Sequence, residues 1–137
     1  MSRIICIDYG LKRTGLAVTD PLRIIATGLT TVESPKLITF LKDYFQKEKV
    51  SLILIGEPWS MDDTATHATP LVLKCIKDLE KNFPSIPIEK VDERYTSKMA
   101  SQAMIEMGLK KKQRRNKALV DEIAATIMLQ DYLQKPG

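Results

Sequence analysis

The first 32 residues carry three apolar, strand-like runs separated by gaps too short for a helix to cross between them. They are Arg3 to Asp8 (RIICID), Gly15 to Thr19 (GLAVT) and Ile24 to Val32. Strands joined so briefly must turn back on one another, so the chain opens as antiparallel hairpins. The pattern then changes. Ser34-Pro35 reads as a helix start, with serine as cap and proline at the first helical position. Leu37, Ile38, Leu41, Tyr44 and Phe45 follow at helical spacing. Ser51 to Ile55 (SLILI) is a continuous apolar run, the mark of a buried strand. Thr69-Pro70 repeats the cap-proline signal before a helix through Leu71 to Leu79, one able to start earlier and kink at Pro70. Ile86 to Val91 predicts a fifth strand, and Thr96 to Met107 a helix that Gly108 ends. Ala118 to Leu133 predicts a last helix, apolar on most sides and so well buried. Alternating strands and helices in the second half demand parallel strands with right-handed crossovers. The expectation is one α/β domain over residues 1–137, a mixed five-stranded sheet with helices on both faces.

Composition narrows the function classes. With 44% hydrophobic and 28% charged residues the chain is an ordinary globular protein, not a disordered one. No stretch reads as a signal peptide and no apolar run approaches a membrane span, so a cytoplasmic protein with no membrane partner is expected. Cys6 and Cys75 lie inside apolar patterns with no CxxC or Cys/His cluster, which reads as two buried thiols in a reducing compartment. A zinc site lacks its ligands. His67 is the sole histidine, too little for a multi-histidine metal site and a poor basis for a histidine triad. The net charge is +4, unevenly placed. Lys110 to Lys117 (KKKQRRNK) holds six basic residues and no acid, leaving fifteen basic against seventeen acidic side chains elsewhere. A near-neutral body with one basic patch suits a polyanion such as nucleic acid. A solvated loop has the same composition.

Individual residues then stand out. Asp8 ends an apolar strand, where a charge costs free energy unless paired or bound to a metal. Gly10 follows, permitting positive φ or a close backbone approach, and Lys12 and Arg13 occupy the hairpin tip, within reach of a phosphate. Glu93 lies just past the fifth strand, and the carboxyl ends of parallel strands are where open α/β sheets hold ligands. Thr96 or Ser97 suits a helix cap. Arg94 suits a phosphate or a salt bridge equally. Asp121 sits on the apolar last helix with Lys117, Ala124 and Ala125 at helical spacing. The small alanines leave room for something to approach it, and Lys117 could pair with it. Glu57 is a candidate fourth carboxylate, while Asp62 and Asp63 suit a turn. Trp59 and Met61 could meet bases, or pack back on the core.

Four pieces in order, IDYGLKRTGLAVTD from Ile7 to Asp20, IGEPWSMDDT from Ile55 to Thr64, VDERYTSKMA from Val91 to Ala100 and NKALVDEIAATIMLQDYL from Asn116 to Leu133, resemble the YqgF/RuvX family. Its members are described as Holliday junction resolvases or pre-16S rRNA nucleases. The resemblance spans nearly the whole chain. It implies a ribonuclease-H-like fold with Asp8, Glu93 and Asp121 as active-site acids. Two positions depart from the family pattern: Asp63 stands where MDGT has glycine, and Glu57 where an apolar residue is usual. Both add negative charge to a loop expected near a phosphate backbone. The implied acids are hard oxygen ligands for Mg²⁺ or Mn²⁺. Two ions roughly 4 Å apart can activate water and stabilise the leaving oxygen, with Asp8 bridging and Glu93 and Asp121 each completing one side. The nucleic-acid contacts expected are Lys12, Arg13, Arg94, Lys110, Lys111, Lys112, Arg114, Arg115 and Lys117.

Two other classes share features with this chain. Actin-like sugar kinases use a DxGxxxxG turn but need two such domains, and this chain has length for one. A non-catalytic RNA-binding ribosome-assembly factor could keep the fold, although three acids argue against it. Within the nuclease reading, precursor rRNA is the favoured substrate and four-way DNA the alternative. Symmetric junction cutting needs a dimer, whereas rRNA trimming could be done by a monomer, so a monomer or a homodimer is expected.

Overall fold

The computed structural model describes residues 2–57, 69–92 and 117–134. Its sheet contains β1 (Arg3–Tyr9), β2 (Arg13–Thr19), β3 (Ala26–Glu33), β4 (Val50–Glu57) and β5 (Ile88–Asp92). A 3-10 turn (Ser34–Lys36) leads into α1 (Leu37–Lys47); α2 (Thr69–Asn82) joins the second half, and α3 (Lys117–Gln134) is the last helix described. The strand order is β3-β2-β1-β4-β5. β1 pairs antiparallel with β2 and parallel with β4, β2 antiparallel with β3, and β4 parallel with β5. The mixed five-stranded sheet is therefore the one the spacing predicts.

β1 is apolar at successive positions because both its faces are covered. Ile5 and Ile7 point into a core with Leu16, Val18, Ile53 and Ile55, closed by Leu37 and Leu41 of α1 and Val72 and Leu79 of α2. Ile4 and Cys6 point the other way, into a second core with Ala17, Leu54 and α3 residues Ala125, Met128 and Leu129. The α3 face is built from smaller side chains, so this helix lies close on the sheet. Gly15 carries the closest approach. A Cβ there would lie 2.1 Å from the carbonyl oxygen of Asp121.

Several boundaries differ from expectation for local reasons. Ile24 and Ile25 are not in β3, since their N–H groups donate to Asp20 Oδ1 at 2.8 Å each. Pro87 has no N–H for a ladder, and the Ile86 N–H donates to the Phe83 carbonyl at 3.1 Å, so β5 starts at Ile88. Ser34 does not cap a helix. The turn's N-cap is Glu33, with no side-chain cap bond, and the buried Ser34 hydroxyl instead bonds Thr14 Oγ1 at 2.8 Å and the Gly10 carbonyl. Thr69-Pro70 does open α2. α3 buries one face only, through Ala124, Ala125, Met128 and Leu129. The predicted helix at 96–107, its Gly108 cap and His67 lie outside the described residues.

The Gly15 contact makes a sharp prediction. Gly15→Ala presses a methyl group against main chain that cannot move alone, and should cost about 1–3 kcal/mol. At Gly28 the atoms nearest an added Cβ belong to the Glu122 side chain, 2.5 Å away at Oε1. That side chain can turn aside, so Gly28→Ala should cost less than about 1 kcal/mol. Urea unfolding of both variants checks this; equal losses would mean that α3 does not rest on Gly15.

Candidate active site

Asp8 lies near the carboxyl end of the central strand β1, with its register partner Gly15 on β2. Because α3 touches the sheet over Gly15 at Asp121, the close packing that seats the helix also brings the second acid to this end of β1. Asp8, Gly10, Leu11, Lys12, Arg13 and Asp121 line one open cleft of about 340 Å³. Asp121 lies just over a turn into α3. The Arg13 Nε donates to Asp121 Oδ2 at 3.4 Å, with the two side chains 37% and 29% exposed. An ion pair this open to solvent contributes no more than about 1 kcal/mol.

The hairpin between β1 and β2 is held tightly. A Cβ on Gly10 would lie 2.5 Å from the Arg13 carbonyl oxygen, so close backbone approach, not positive φ, accounts for this glycine. Ser34 and Thr14, both buried, tie the Gly10 carbonyl to the core. Lys12 and Leu11 stand exposed at the cleft's rim.

Of the residues singled out from sequence, the structure thus brings together Asp8, Lys12, Arg13 and Asp121. Asp121 has Arg13 as an ion-pair partner, a pairing the sequence reading missed because the two residues are 108 positions apart. Ala124 and Ala125 are buried toward the sheet and do not open space beside the acid. Glu57 ends β4 in register with Asp92, the last residue of β5, which puts both at the carboxyl end of the sheet. Lys117 opens α3. Glu93, Arg94, Lys110, Lys111, Lys112, Arg114 and Arg115 lie outside the described residues, as do Trp59, Met61, Asp62, Asp63, Thr96 and Ser97. Gly15, Thr14 and Ser34 were not anticipated as parts of the site. A mid-strand glycine opposite an aspartate was the available signal.

Among the described residues no group of three His, Cys, Asp or Glu side chains forms a metal-holding cluster. Asp8 and Asp121 nevertheless bring two hard carboxylate donors into one cleft, a donor set that fits Mg²⁺ or Mn²⁺. Among the described residues no helix is long and apolar enough to cross a membrane.

Sheet order, covering helices and a carboxylate-lined cleft at the end of the central strand define a ribonuclease-H-like α/β protein. The fold agrees with that of a solved RuvC from T. thermophilus in complex with Holliday junction substrate, at TM-score 0.56 and 14% identity, covering 98% of this chain and 97% of that one. The chain belongs to the RuvX family, whose model, described as Holliday junction resolvase, matches residues 2–135. A relative from Flavobacterium psychrophilum is 60% identical over 98% of both chains, and one from Christiangramia forsetii is 59% identical over 97% of this chain and 98% of its own. Both carry the name "Putative pre-16S rRNA nuclease".

Neither cysteine belongs to this chemistry. Cys6 and Cys75 are buried and form no disulfide, and burial, with the nearby Asp78 charge, pushes the Cys75 thiol up to about 12. A thiol reagent at about pH 8 should therefore leave the native protein unlabelled, since the thiolate is the reacting form. Unfolding should release two equivalents. Rapid labelling of the native chain would contradict this burial.

Proposed function

We propose that this protein is a metal-dependent endonuclease that hydrolyses phosphodiesters in structured nucleic acid, with precursor 16S rRNA the favoured substrate. The observation that carries the reading is the cleft shared by Asp8 and Asp121, edged by Lys12 and Arg13, in a chain of this family. Carboxylates beside cationic side chains suit a bound cation and a phosphate backbone together. Asp8 and Asp121 would hold Mg²⁺ or Mn²⁺, with Glu93 as the third acid. When bound, such ions lower the pKa of water and offset charge on the leaving oxygen.

The chain's own side chains supply positioning. Asp8 stands on a strand buried on both faces, so its carboxylate has a firm base. Arg13 is tied to Asp121 by a weak pair and can turn to a phosphate oxygen when substrate enters. Lys12 meets the backbone as a point charge. Arg94, Lys110, Lys111, Lys112, Arg114, Arg115 and Lys117 would supply further cationic contacts to the nucleic-acid backbone. The name carried by relatives more than half identical favours RNA; the family's description supports four-way DNA as the second reading. Cytoplasmic location suits either substrate.

The deciding experiment incubates pure protein with matched precursor-rRNA and four-way DNA substrates, with and without Mg²⁺ or Mn²⁺. Cation-dependent cleavage of the rRNA is expected. Asp8→Asn and Asp121→Asn should each reduce cleavage by about a hundredfold to a thousandfold, the scale of losing one contribution to stabilising the transition-state charge, here made through the cation each would hold. Binding should persist, and losing the Arg13 pair should by itself cost Asp121→Asn no more than about 1 kcal/mol of stability. A destabilised Asp121→Asn protein that cleaves at the wild-type rate would return Asp121 to a structural role. If the chain binds RNA but no condition yields cleavage, the non-catalytic assembly-factor reading replaces this one.

The basic run has its own test. Replacing Lys110, Lys111 and Lys112 with glutamine should weaken binding across sequences and reduce the salt slope by about 2 to 3, near the 0.7–0.9 per phosphate contact expected. An unchanged slope would make the run an ordinary solvated segment.

A further inference from the structure

Arg13 is anchored at its main chain and loosely held at its side chain. It opens β2, in register with Glu33 of β3, and its carbonyl oxygen lies 2.5 Å from where a Cβ on Gly10 would stand. The Gly10 carbonyl is bonded in turn to Ser34, which also bonds Thr14. Backbone movement at Arg13 would disturb all of these contacts. The guanidinium is held differently. Among the described residues its one hydrogen bond runs from Nε to Asp121 Oδ2 at 3.4 Å, beyond the usual distance for an N–H donor. The contact uses Nε alone and so lacks the two-point geometry of a strong arginine–carboxylate pair. Both side chains stay partly open to solvent. A pair of this kind biases the guanidinium toward the carboxylate by no more than about fivefold.

Asp121 is also one of the two carboxylates that suit a divalent cation in this cleft, and Arg13 lines the same cleft. A guanidinium and a divalent cation compete for the same carboxylate. The cation wins on charge, since it carries two charges on a small sphere against one spread over a plane. Once seated, it also repels the guanidinium beside it. The exchange needs side-chain rotation only, because the main chain of Arg13 is fixed. The released guanidinium remains at the cleft and offers its planar donor fork, the geometry that matches a phosphate. Lys12 gives the natural comparison. It stands exposed at the same rim with the same formal charge, and among the described residues it forms no ion pair with either acid.

We propose that Arg13 is a placeholder for the cation at Asp121, released to the nucleic-acid backbone when that cation binds, so that cation and nucleic acid bind cooperatively through this one side chain. The inference rests on the reading of Asp8 and Asp121 as the cation ligands. Without cation, Arg13 offsets part of the Asp121 charge and is withheld from phosphate. Nucleic acid that arrives first must break the pair itself, whereas nucleic acid that arrives after the cation finds the guanidinium released. The linkage is reciprocal: nucleic acid that captures Arg13 raises the affinity for the cation by the same factor. The strength of the pair sets the size of the effect, a coupling of roughly twofold to fivefold. Arg13 is thus a positioning residue, and the order it favours loads the ions before the phosphodiester is clamped.

Two measurements on the full chain test this. The first follows the Arg13 Nε–H signal by NMR, assigned by its loss in Arg13→Gln, as Mg²⁺ is added without nucleic acid. Release should shift the signal and speed its exchange with solvent. A signal that stays in place while Mg²⁺ shifts those of Asp8 and Asp121 overturns the proposal and leaves Arg13 a fixed bridge between acid and phosphate. If Mg²⁺ shifts neither acid, the cation site itself falls and the proposal with it. The second measures binding of a fluorescent RNA hairpin to wild type, Arg13→Gln and Lys12→Gln, with and without Ca²⁺, which takes the same oxygen donors; the RNA is checked to be intact afterwards. Lys12→Gln should weaken binding equally in both conditions and keep the wild-type gain on adding Ca²⁺. Arg13→Gln should weaken it chiefly when Ca²⁺ is present, so that its gain shrinks by about twofold to fivefold. Equal gains in all three proteins, or an equal loss of gain in both variants, overturn the proposal while leaving cation-dependent cleavage at Asp8 and Asp121 untouched.

Discussion

The contact between α3 and β2 at Gly15 is the one on which the rest of this structure depends. Packed layers are normally held apart by the side chains between them, by about 10 Å for two stacked sheets. Here the Asp121 carbonyl occupies the space a Cβ on Gly15 would take. The smaller residues on that face, Cys6, Ala17 and Ala125, extend the close approach along the helix. Since Gly15 is the register partner of Asp8, a rule of packing becomes a rule of chemistry. Asp121 can join Asp8 in one cleft because nothing larger than hydrogen separates helix from strand at that point.

The opposite face of the sheet does different work. Large side chains from β1, β2 and β4 interdigitate there with α1 and α2, and this thicker core holds β1 rigid. Asp8 therefore sits on a strand packed on both faces, while Asp121 is held by a helix whose position depends on small residues. The ion pair described at the cleft adds little by comparison. The Arg13–Asp121 pair is exposed and long, so it neither stabilises the fold much nor commits Arg13 to one partner. A site that must admit a polyanion gains from a cation it can redirect.

Much of this architecture is legible in the amino-acid order, for identifiable reasons. RIICID reads as a central strand because a strand covered on both faces has no polar alternation to disguise it. The three closely spaced runs force hairpins, and the later alternation forces parallel strands, which together specify the mixed sheet. Asp8 and Asp121 could be picked out because each interrupts an apolar pattern. What the order hides is contact at long range. Nothing local in Arg13 announces a partner on the last helix, and Gly15 looks like an ordinary weak spot in a strand until the helix above it is known. Ser34 is misleading for a related reason. Its position before proline mimics a cap, but its hydroxyl finds better use inside the protein, bonding Thr14 and supporting the Gly10 carbonyl. A buried hydroxyl left without partners costs more than a missing cap.

Ser34 also links an apolar groove beside β3 to the cleft. It begins the turn that follows β3, and that turn supplies Pro35 to the apolar groove while its first residue fixes the Gly10 loop at the cleft. Anything pressing on the groove therefore bears on a segment bonded directly to the β1–β2 hairpin, where Lys12 and Arg13 stand. The hairpin cannot yield easily, because Gly10 already lies against the Arg13 main chain with no spare room. Occupation of the groove thus tends to hold the cleft's rim in one shape, and a protein that has to seat a phosphate backbone against two carboxylates benefits from a rim that is preorganised before substrate arrives.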